Sequence, residues 1–155
     1  MNFDPTLLET YHTLLRTTEL QKAYQEFIRL FRFLRNELER QMPDFRFQSS
    51  ITENAMDYAY FSFTNPDLKE NGLKLVAAFD HKNFQLEVWL SGVKRTAQYR
   101  WAEQWSVCPP PMELTQKPNC TDFVVRLPVE TDLSDGGKTV AAVKEAVVQL
   151  LQLLP

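Results

Sequence analysis

The chain has 155 residues, of which 44% are hydrophobic and 24% are charged, and its formal net charge is -3 with a pI near 5.4. This length suits one domain, and the eleven Phe, five Tyr and three Trp residues exclude a disordered chain. Because a mildly acidic chain has no overall field that attracts a polyanion, the composition also argues against nucleic-acid binding.

The N-terminus and the hydropathy of the chain predict a cytoplasmic protein. The first residues, MNFDPTLLETYHTLL, lack the basic start of a signal peptide, and no apolar run approaches the ~18–20 residues of a membrane span. We therefore expect Cys108 and Cys120 to be reduced thiols. Two cysteines with two distant histidines do not make a zinc site, so we expect no cofactor. Because no apolar run is long enough for a membrane span, we also expect no membrane contact.

The first third of the chain has the pattern of two helices. Asp4-Pro5 is typical of a helix start, and apolar residues follow it at helical spacing. Thr17 or Thr18 is expected to cap the second helix, with Gln21 placed to complete a capping box from Thr18. Pro43 predicts the end of that helix, because proline excludes its predecessor from helical geometry.

From residue 45 the hydrophobic pattern changes to period two, which is typical of strands. Residues 45–51, 56–63, 73–79 and 83–92 predict four consecutive strands. The links between them are short and rich in turn residues, so we expect neighbouring strands to be antiparallel and to form a meander.

The last third predicts a helix, a proline-rich loop, a strand and a final helix. The helix covers residues 94–105, the loop runs from Cys108 to Asn119, and residues 122–127 predict a fifth strand. The helix Val140–Leu154 is apolar nearly all round. It is therefore expected either to pack deeply or to form a homodimer contact with a second copy.

Together these elements predict an α+β fold. We expect one two-layer domain over residues 1–155, with an antiparallel sheet of four to five strands, N-terminal helices and a C-terminal helix. A parallel nucleotide-binding fold is disfavoured, because the strands come in a run and the chain has only four glycines.

The strand NFQLEVWLSG carries the first candidate site. Its apolar residues alternate with a polar set that includes Glu87 and Trp89, and Asp80 shares the parity of that set. Asp80 and Glu87 could hold a divalent metal, which prefers hard oxygen ligands, as in many nucleases. A polar turn and a solvated strand explain the same residues more simply, since Trp89 occupies the place of the lysine in a common nuclease signature. We expect His81 to be a hydrogen-bonding residue at the edge of the core.

A basic and aromatic stretch follows this strand. Arg95 and Arg100 lie close to Tyr99 and Trp101, and arginine beside aromatic residues can grip a carboxylate, a phosphate or a base. The simpler reading is a helix that packs its tryptophans on the sheet and leaves the charges in water. The candidate binding residues are Gln48, Glu87, Trp89, Arg95 and Arg100. No Gly-x-Ser-x-Gly elbow or phosphate loop is present, so we assign no catalytic residue.

Several segments resemble an uncharacterised bacterial family, a domain of unknown function. They are Tyr60-Phe61-Ser62-Phe63, Phe79-Asp80-His81 and Glu87-Val88-Trp89-Leu90-Ser91-Gly92. The resemblance covers most of the chain from about Leu20 to Trp105. It implies a small bacterial cytosolic protein and brings no established activity.

We therefore expect a non-enzymatic binding or interaction module that recognises a protein or small ligand through one sheet face. The alternatives are a metal-dependent hydrolase that uses Asp80 and Glu87, and an immunity-type or regulatory partner of a toxin. If the sheet face is covered, Glu87 is buried and needs a cationic partner such as Arg46 or Arg100, because an unpaired buried carboxylate is costly.

Overall fold

A computed structural model describes residues 1–155, which form five helices and seven strands. The helices are α1 (Pro5–Thr17), α2 (Leu20–Gln41), α3 (Pro66–Glu70), α4 (Arg95–Gln104) and α5 (Gly136–Leu151). The strands are β1 (Arg46–Phe47), β2 (Thr52–Glu53), β3 (Tyr58–Thr64), β4 (Leu73–Asp80), β5 (Gln85–Gly92), β6 (Glu113–Leu114) and β7 (Val125–Val129). None of the helices combines the length and apolar character needed to cross a bilayer.

All strands belong to one antiparallel sheet with the order β1-β3-β4-β5-β7-β6, and β2 also pairs with β3. The strands β3, β4 and β5 follow one another through short links, which confirms the predicted meander. Gly72 lies in the link before β4 with φ of 68°, a backbone conformation that glycine adopts without strain.

The core lies between the sheet and four helices, with α2, α4 and α5 forming most of the cover and α3 adding Leu68. Alternate strand residues such as Phe61, Leu75 and Val88 point to this side and are fully buried. The helices α2, α4 and α5 cover them with Phe31, Trp101, Val143 and other apolar residues of the same cluster. The predicted α+β two-layer arrangement, with N-terminal helices and a C-terminal helix, is confirmed.

The last helix begins earlier than its apolar run suggested, because Asp135 caps it by accepting a hydrogen bond from the Lys138 backbone at 3.0 Å. Its apolar residues Val140, Val143, Val147 and Leu150 are buried within the chain. Deep packing, one of the two expected outcomes, therefore accounts for the apolar character of α5. Only Val148 remains a large exposed apolar side chain on this helix.

The predicted capping box from Thr18 to Gln21 is wrong. The helix α2 begins after Glu19, which makes no side-chain cap hydrogen bond. The Thr18 hydroxyl accepts a hydrogen bond from the Leu20 backbone at 3.2 Å and donates to the Leu14 carbonyl at the end of α1. The cap expected at Thr18 is therefore present, without the box that Gln21 would complete. The start predicted for α1 is confirmed, since Asp4 accepts hydrogen bonds from the backbones of Thr6 and Leu7.

The first predicted strand is interrupted. Residues 46–47 pair with β3, but the Gln48 side chain then donates to the Ser50 carbonyl and the Thr52 hydroxyl, and the chain turns before β2. The strand predicted at residues 122–127 is present as β7, which begins three residues later and ends two residues later. The short helix α3 and the two-residue strand β6 were not predicted.

Candidate functional site

The sheet face opposite the helices carries the polar and aromatic residues of the candidate site. We call it the outer face and define it by the outward side chains of β3, β4, β5 and β7 together with Phe123 and Glu113. Its apolar part is a small second cluster, separate from the main core, which consists of Val76, Ala78 and Trp89 with Tyr58 and Phe123 packed against it.

Strand register brings the charged residues of the outer face together. Across the strands, Glu87 has Ala78 of β4 on one side and Pro128 of β7 on the other. Both are small, so the Glu87 side chain can reach the residues two positions further along the strands. In that next row Trp89 lies opposite Arg126, and Arg126 lies opposite Glu113 of β6. The Tyr58 ring reaches across the face and contacts the Trp89 ring edge-on, with 5.5 Å between the ring centroids.

Glu87 is buried, with 3% of its surface exposed. The Trp89 indole nitrogen donates a hydrogen bond to Glu87 Oε2 at 3.2 Å, and Arg126 Nε lies 3.6 Å from the same oxygen. Burial raises the pKa of the Glu87 carboxyl, while the Trp89 hydrogen bond and the Arg126 charge lower it, and the balance is a raised pKa. The Glu87 carboxyl therefore stays protonated up to a higher pH than a glutamate side chain in water does.

The cationic partner of Glu87 is Arg126, so the expectation of Arg46 or Arg100 is wrong. The strand β7 runs beside β5 and delivers Arg126 to the same face, whereas β1 lies on the far side of β3. Arg100 belongs to α4 on the other side of the sheet and donates to the Asn71 carbonyl at 2.9 Å.

Arg126 links three residues of the outer face. Besides Glu87 it pairs with Glu113 through a short hydrogen bond, and its guanidinium lies 4.9 Å from the centre of the Phe123 ring. One cation is thus shared between two carboxylates and rests on an aromatic surface. Glu113 itself is exposed, so the charged group opens to solvent at this edge.

Asp80 is the third carboxylate of the outer face. Burial acts to raise its pKa, but hydrogen bonds from Asn83, from the Lys82 backbone and from the Tyr58 hydroxyl outweigh that effect, and the pKa is lowered. The Asn83 amide donates to Asp80 Oδ2 at 2.6 Å, and the Tyr58 hydroxyl lies 3.4 Å from the same oxygen. Burial together with the charges of Asp80 and Glu87 raises the pKa of Tyr58.

The two residues of the metal hypothesis share the outer face, as their parity predicted. Asp80 lies opposite Gln85 and Glu87 lies opposite Ala78, which makes them diagonal neighbours on β4 and β5. The chain offers no group of three or more His, Cys, Asp or Glu side chains that could hold a metal ion. A metal at Asp80 and Glu87 would therefore need ligands from outside these residue types.

Of the five predicted binding residues, the structure brings together Glu87 and Trp89 and places the other three elsewhere. Gln48 orders the turn between β1 and β2 and accepts a hydrogen bond from the Ser62 backbone at 3.1 Å. Arg95 donates to the Pro118 carbonyl and pairs with Asp122, each at 3.1 Å. Arg100 contacts Asn71 and the Trp101 ring. A binding role for these three stays a prediction.

Sequence reasoning missed Arg126, Tyr58 and Glu113. A signal for Arg126 was present, because it is the only charged residue in the apolar segment Phe123–Leu127. Its apolar neighbours Val125 and Leu127 indicate that the Arg126 side chain lies on the face of the strand away from the core. Glu113 carried no such signal, since β6 is only two residues long and lies in a proline-rich loop.

The histidine and cysteine interpretations also have structural counterparts. His81 lies at the core edge beside Phe27 and Phe79, and its Nε2 is 3.3 Å from Glu53 Oε1, which confirms its expected position. Cys108 and Cys120 are both free thiols. Burial raises the pKa of the Cys108 thiol, so it is the less reactive protonated form that predominates there.

A family model described as a domain of unknown function (DUF7000) matches residues 5–154. The chain belongs to this family. The match includes all five helices and all seven strands, so the domain of unknown function comprises both the helical layer and the outer face. No curated protein and no solved structure gives a significant match.

Proposed function

We propose that the protein is a non-enzymatic binding module whose outer face recognises basic groups of a partner protein. The observation that carries this proposal is the charge of a sheet face that no helix covers. That face holds the carboxylates of Asp80, Glu87 and Glu113, and of its two cations, Lys74 and Arg126, only Arg126 lies within ion-pair distance of a carboxylate. An added cation from a partner would therefore meet an excess of negative charge.

The aromatic residues of the outer face support a cationic ligand as well. Tyr58 and Phe123 pack beside Trp89, Tyr60 lies in the same row as Glu87 with Ala78 between them, and Arg126 already occupies the surface of Phe123. Lysine or arginine side chains of a partner can use tyrosine rings in the same way. Trp89 is only 8% exposed, so it acts as the support of this surface and not as an exposed anchor.

A regulatory or immunity-type partner of a basic toxin is one form of this function. Such a partner would be attracted by the acidic outer face, and the rate of association would fall with added salt. We propose a cytoplasmic setting for it, since free thiols at Cys108 and Cys120 suit a reducing compartment. A hydrolase that uses Asp80 and Glu87 is the weaker proposal, because Asp80 is occupied by Asn83 and Tyr58.

The proposal can be tested by NMR, because the Trp89 indole N–H donates to Glu87 and so reports on that carboxylate. The probes are an Arg-Gly repeat peptide and a Glu-Gly repeat peptide of equal length. We expect the basic peptide alone to shift the Trp89 indole signal in a saturable way. The shift should weaken between about 50 and about 300 mM salt, because screening shortens the range of charge attraction.

The variants are Tyr60→Ala and Glu113→Lys, with Tyr99→Ala as the matched control on exposed surface of α4. We expect the first two to reduce the affinity for the basic peptide at least about threefold and the control to leave it unchanged. An equal response to both peptides would overturn the proposal. So would a response of the Trp101 and Trp105 signals without one at Trp89.

A further inference from the structure

The first helix presents an apolar surface that the rest of the chain does not cover. None of the thirteen residues of α1 is buried. Leu7, Leu8 and Tyr11 are 66%, 59% and 61% exposed, and Leu14 and Leu15 extend the same stripe. An isolated helix of this length is marginal in water, so its stability depends on a surface that packs against this stripe.

Beside α1 lies an open apolar groove of about 1250 Å³. One wall is α1 with Tyr11 and Leu15, the other is α2, and Met56 lies at one end. Apolar residues of α2 such as Tyr24 and Ile28 line it, and Arg29 and Arg32 form part of its rim. We call this space the α1–α2 groove. The chain therefore carries an uncovered apolar helix and an uncovered apolar groove side by side.

We propose that two copies of the chain associate by placing α1 of each copy in the α1–α2 groove of the other. The lengths of the helix and of the groove support α1 as the occupant of the groove. The helix α1 is about 20 Å long, and the groove follows α2 from Leu20 to Asn36, about 24 Å at the rise of an α-helix. The same surface is both ligand and receptor, which is what a twofold symmetric dimer requires.

The area of exposed apolar surface also suits a dimer. Eight large apolar side chains are exposed, namely Tyr11, Leu15, Phe33 and Met56 in the groove and Phe3, Leu7, Leu8 and Leu14 on α1 or before it. At roughly 200 Å² for each fully exposed side chain, their exposed parts add up to roughly 800 Å², the area that each partner of a standard interface buries.

Charge is complementary between the helix and the groove. Asp4, the N-cap, brings a carboxylate to the start of α1, and the first basic side chain of the helix, apart from His12, is Arg16 near its end. The groove rim carries Arg29 and Arg32. Arg29 pairs with Glu26, whereas Arg32 has no carboxylate within ion-pair distance in its own chain. An incoming α1 would supply one.

The first test measures the mass of the full chain by light scattering and sedimentation over about 1–200 μM. We expect wild type to be a dimer and Leu8→Asp to raise the dimer dissociation constant at least about 100-fold, because it places a charge on the buried stripe. The matched control is Val148→Asp on α5, which is also exposed and apolar. A wild type that is monomeric throughout, or a dimer broken by Val148→Asp but not by Leu8→Asp, overturns the proposal.

The second test uses charge exchange between chains. Leu8→Lys places a cation on the apolar stripe, against the basic groove rim, and the double change Arg29→Glu with Arg32→Glu makes that rim acidic. We expect each variant alone to dimerise at least about 10-fold more weakly than wild type, and an equimolar mixture to form heterodimers at least about 10-fold more tightly than either variant alone forms homodimers. Failure of the mixture to recover shows that α1 does not lie in the groove of a second copy. Circular dichroism of each variant confirms that it is folded.

Discussion

The inner and outer faces of the sheet differ in the kind of side chain that they bury. The inner face buries apolar side chains under α2, α4 and α5, so each residue there contributes by being removed from water. The outer face has no helical cover and buries a carboxylate, Glu87, under Tyr58, Trp89 and Arg126. Stability is therefore concentrated in the inner face, and the groups whose charge could be used in recognition lie on the outer one.

The largest expected effect is on the inner face, at Phe61→Ala. Phe61 is fully buried and packs against Phe31 and Phe47, so truncation leaves a cavity in the main core. We expect a loss of about 4 kcal/mol in unfolding free energy by urea titration. Phe84→Ala is the matched control, because Phe84 is 71% exposed, and should cost less than about 1 kcal/mol. Equal losses for the two variants would contradict the division into a buried and an exposed side chain.

An intermediate effect is expected on the outer face, at Arg126→Met. Methionine keeps the apolar stem but removes the charge, which leaves Glu87 buried without its cation. We expect a loss of about 2 kcal/mol at pH 7, limited because Glu87 can take up a proton. The control Glu113→Gln removes the exposed partner of Arg126 and should cost less than about 0.5 kcal/mol. A larger loss for Glu113→Gln than for Arg126→Met would show that the Glu87 pair contributes little.

The smallest effect is the pH dependence at Glu87. Burial raises the pKa of this carboxyl above the ordinary value of 4.5, so the folded chain holds the proton in a pH range where the unfolded chain has lost it. The unfolding free energy should therefore fall as pH rises through that range, and this component should be absent from Glu87→Gln.

We expect Glu87→Gln to lie within about 1 kcal/mol of wild type at pH 7, because Arg126 keeps Glu113 as a partner. Chemical denaturation of both proteins between about pH 4 and pH 7 measures the difference in slope. A wild type that gains stability over Glu87→Gln as the pH rises would show that the pKa of Glu87 is lowered instead.

Much of the fold could be predicted from the sequence, because apolar and polar residues alternate along the strands and so show which side chains are buried. The alternation in β3, β4 and β5 and the Asp4-Pro5 start of α1 depend on local patterns, and the structure confirms them. The strand predicted at residues 45–51 contains β1 but extends beyond it, and the short strands β2 and β6 could not be predicted, since two paired residues have no period. The Thr18 hydroxyl bonds to both neighbouring helices, donating to Leu14 and accepting from Leu20, which the spacing to Gln21 did not show.

The candidate site was predictable only in part. Parity placed Asp80, Glu87 and Trp89 on one face, as the structure shows. Arg126 is far from Glu87 in sequence, and their pairing depends on β7 lying beside β5 and not at another edge of the sheet. Pairing between strands distant in sequence cannot be read from composition or spacing. A contact that depends on sheet order therefore becomes visible only when the sheet is known.

The strands at the two edges of the sheet have a consequence for solubility. The pairing at one edge is made by β1 and β2 and at the other by β6, and each of these strands is only two residues long. A strand with so few unpaired backbone groups is a poor template for a strand of another molecule, and charged Arg46, Glu53 and Glu113 lie within them. The sheet is thereby protected against edge-to-edge aggregation, and regular contacts between chains are directed to side-chain surfaces.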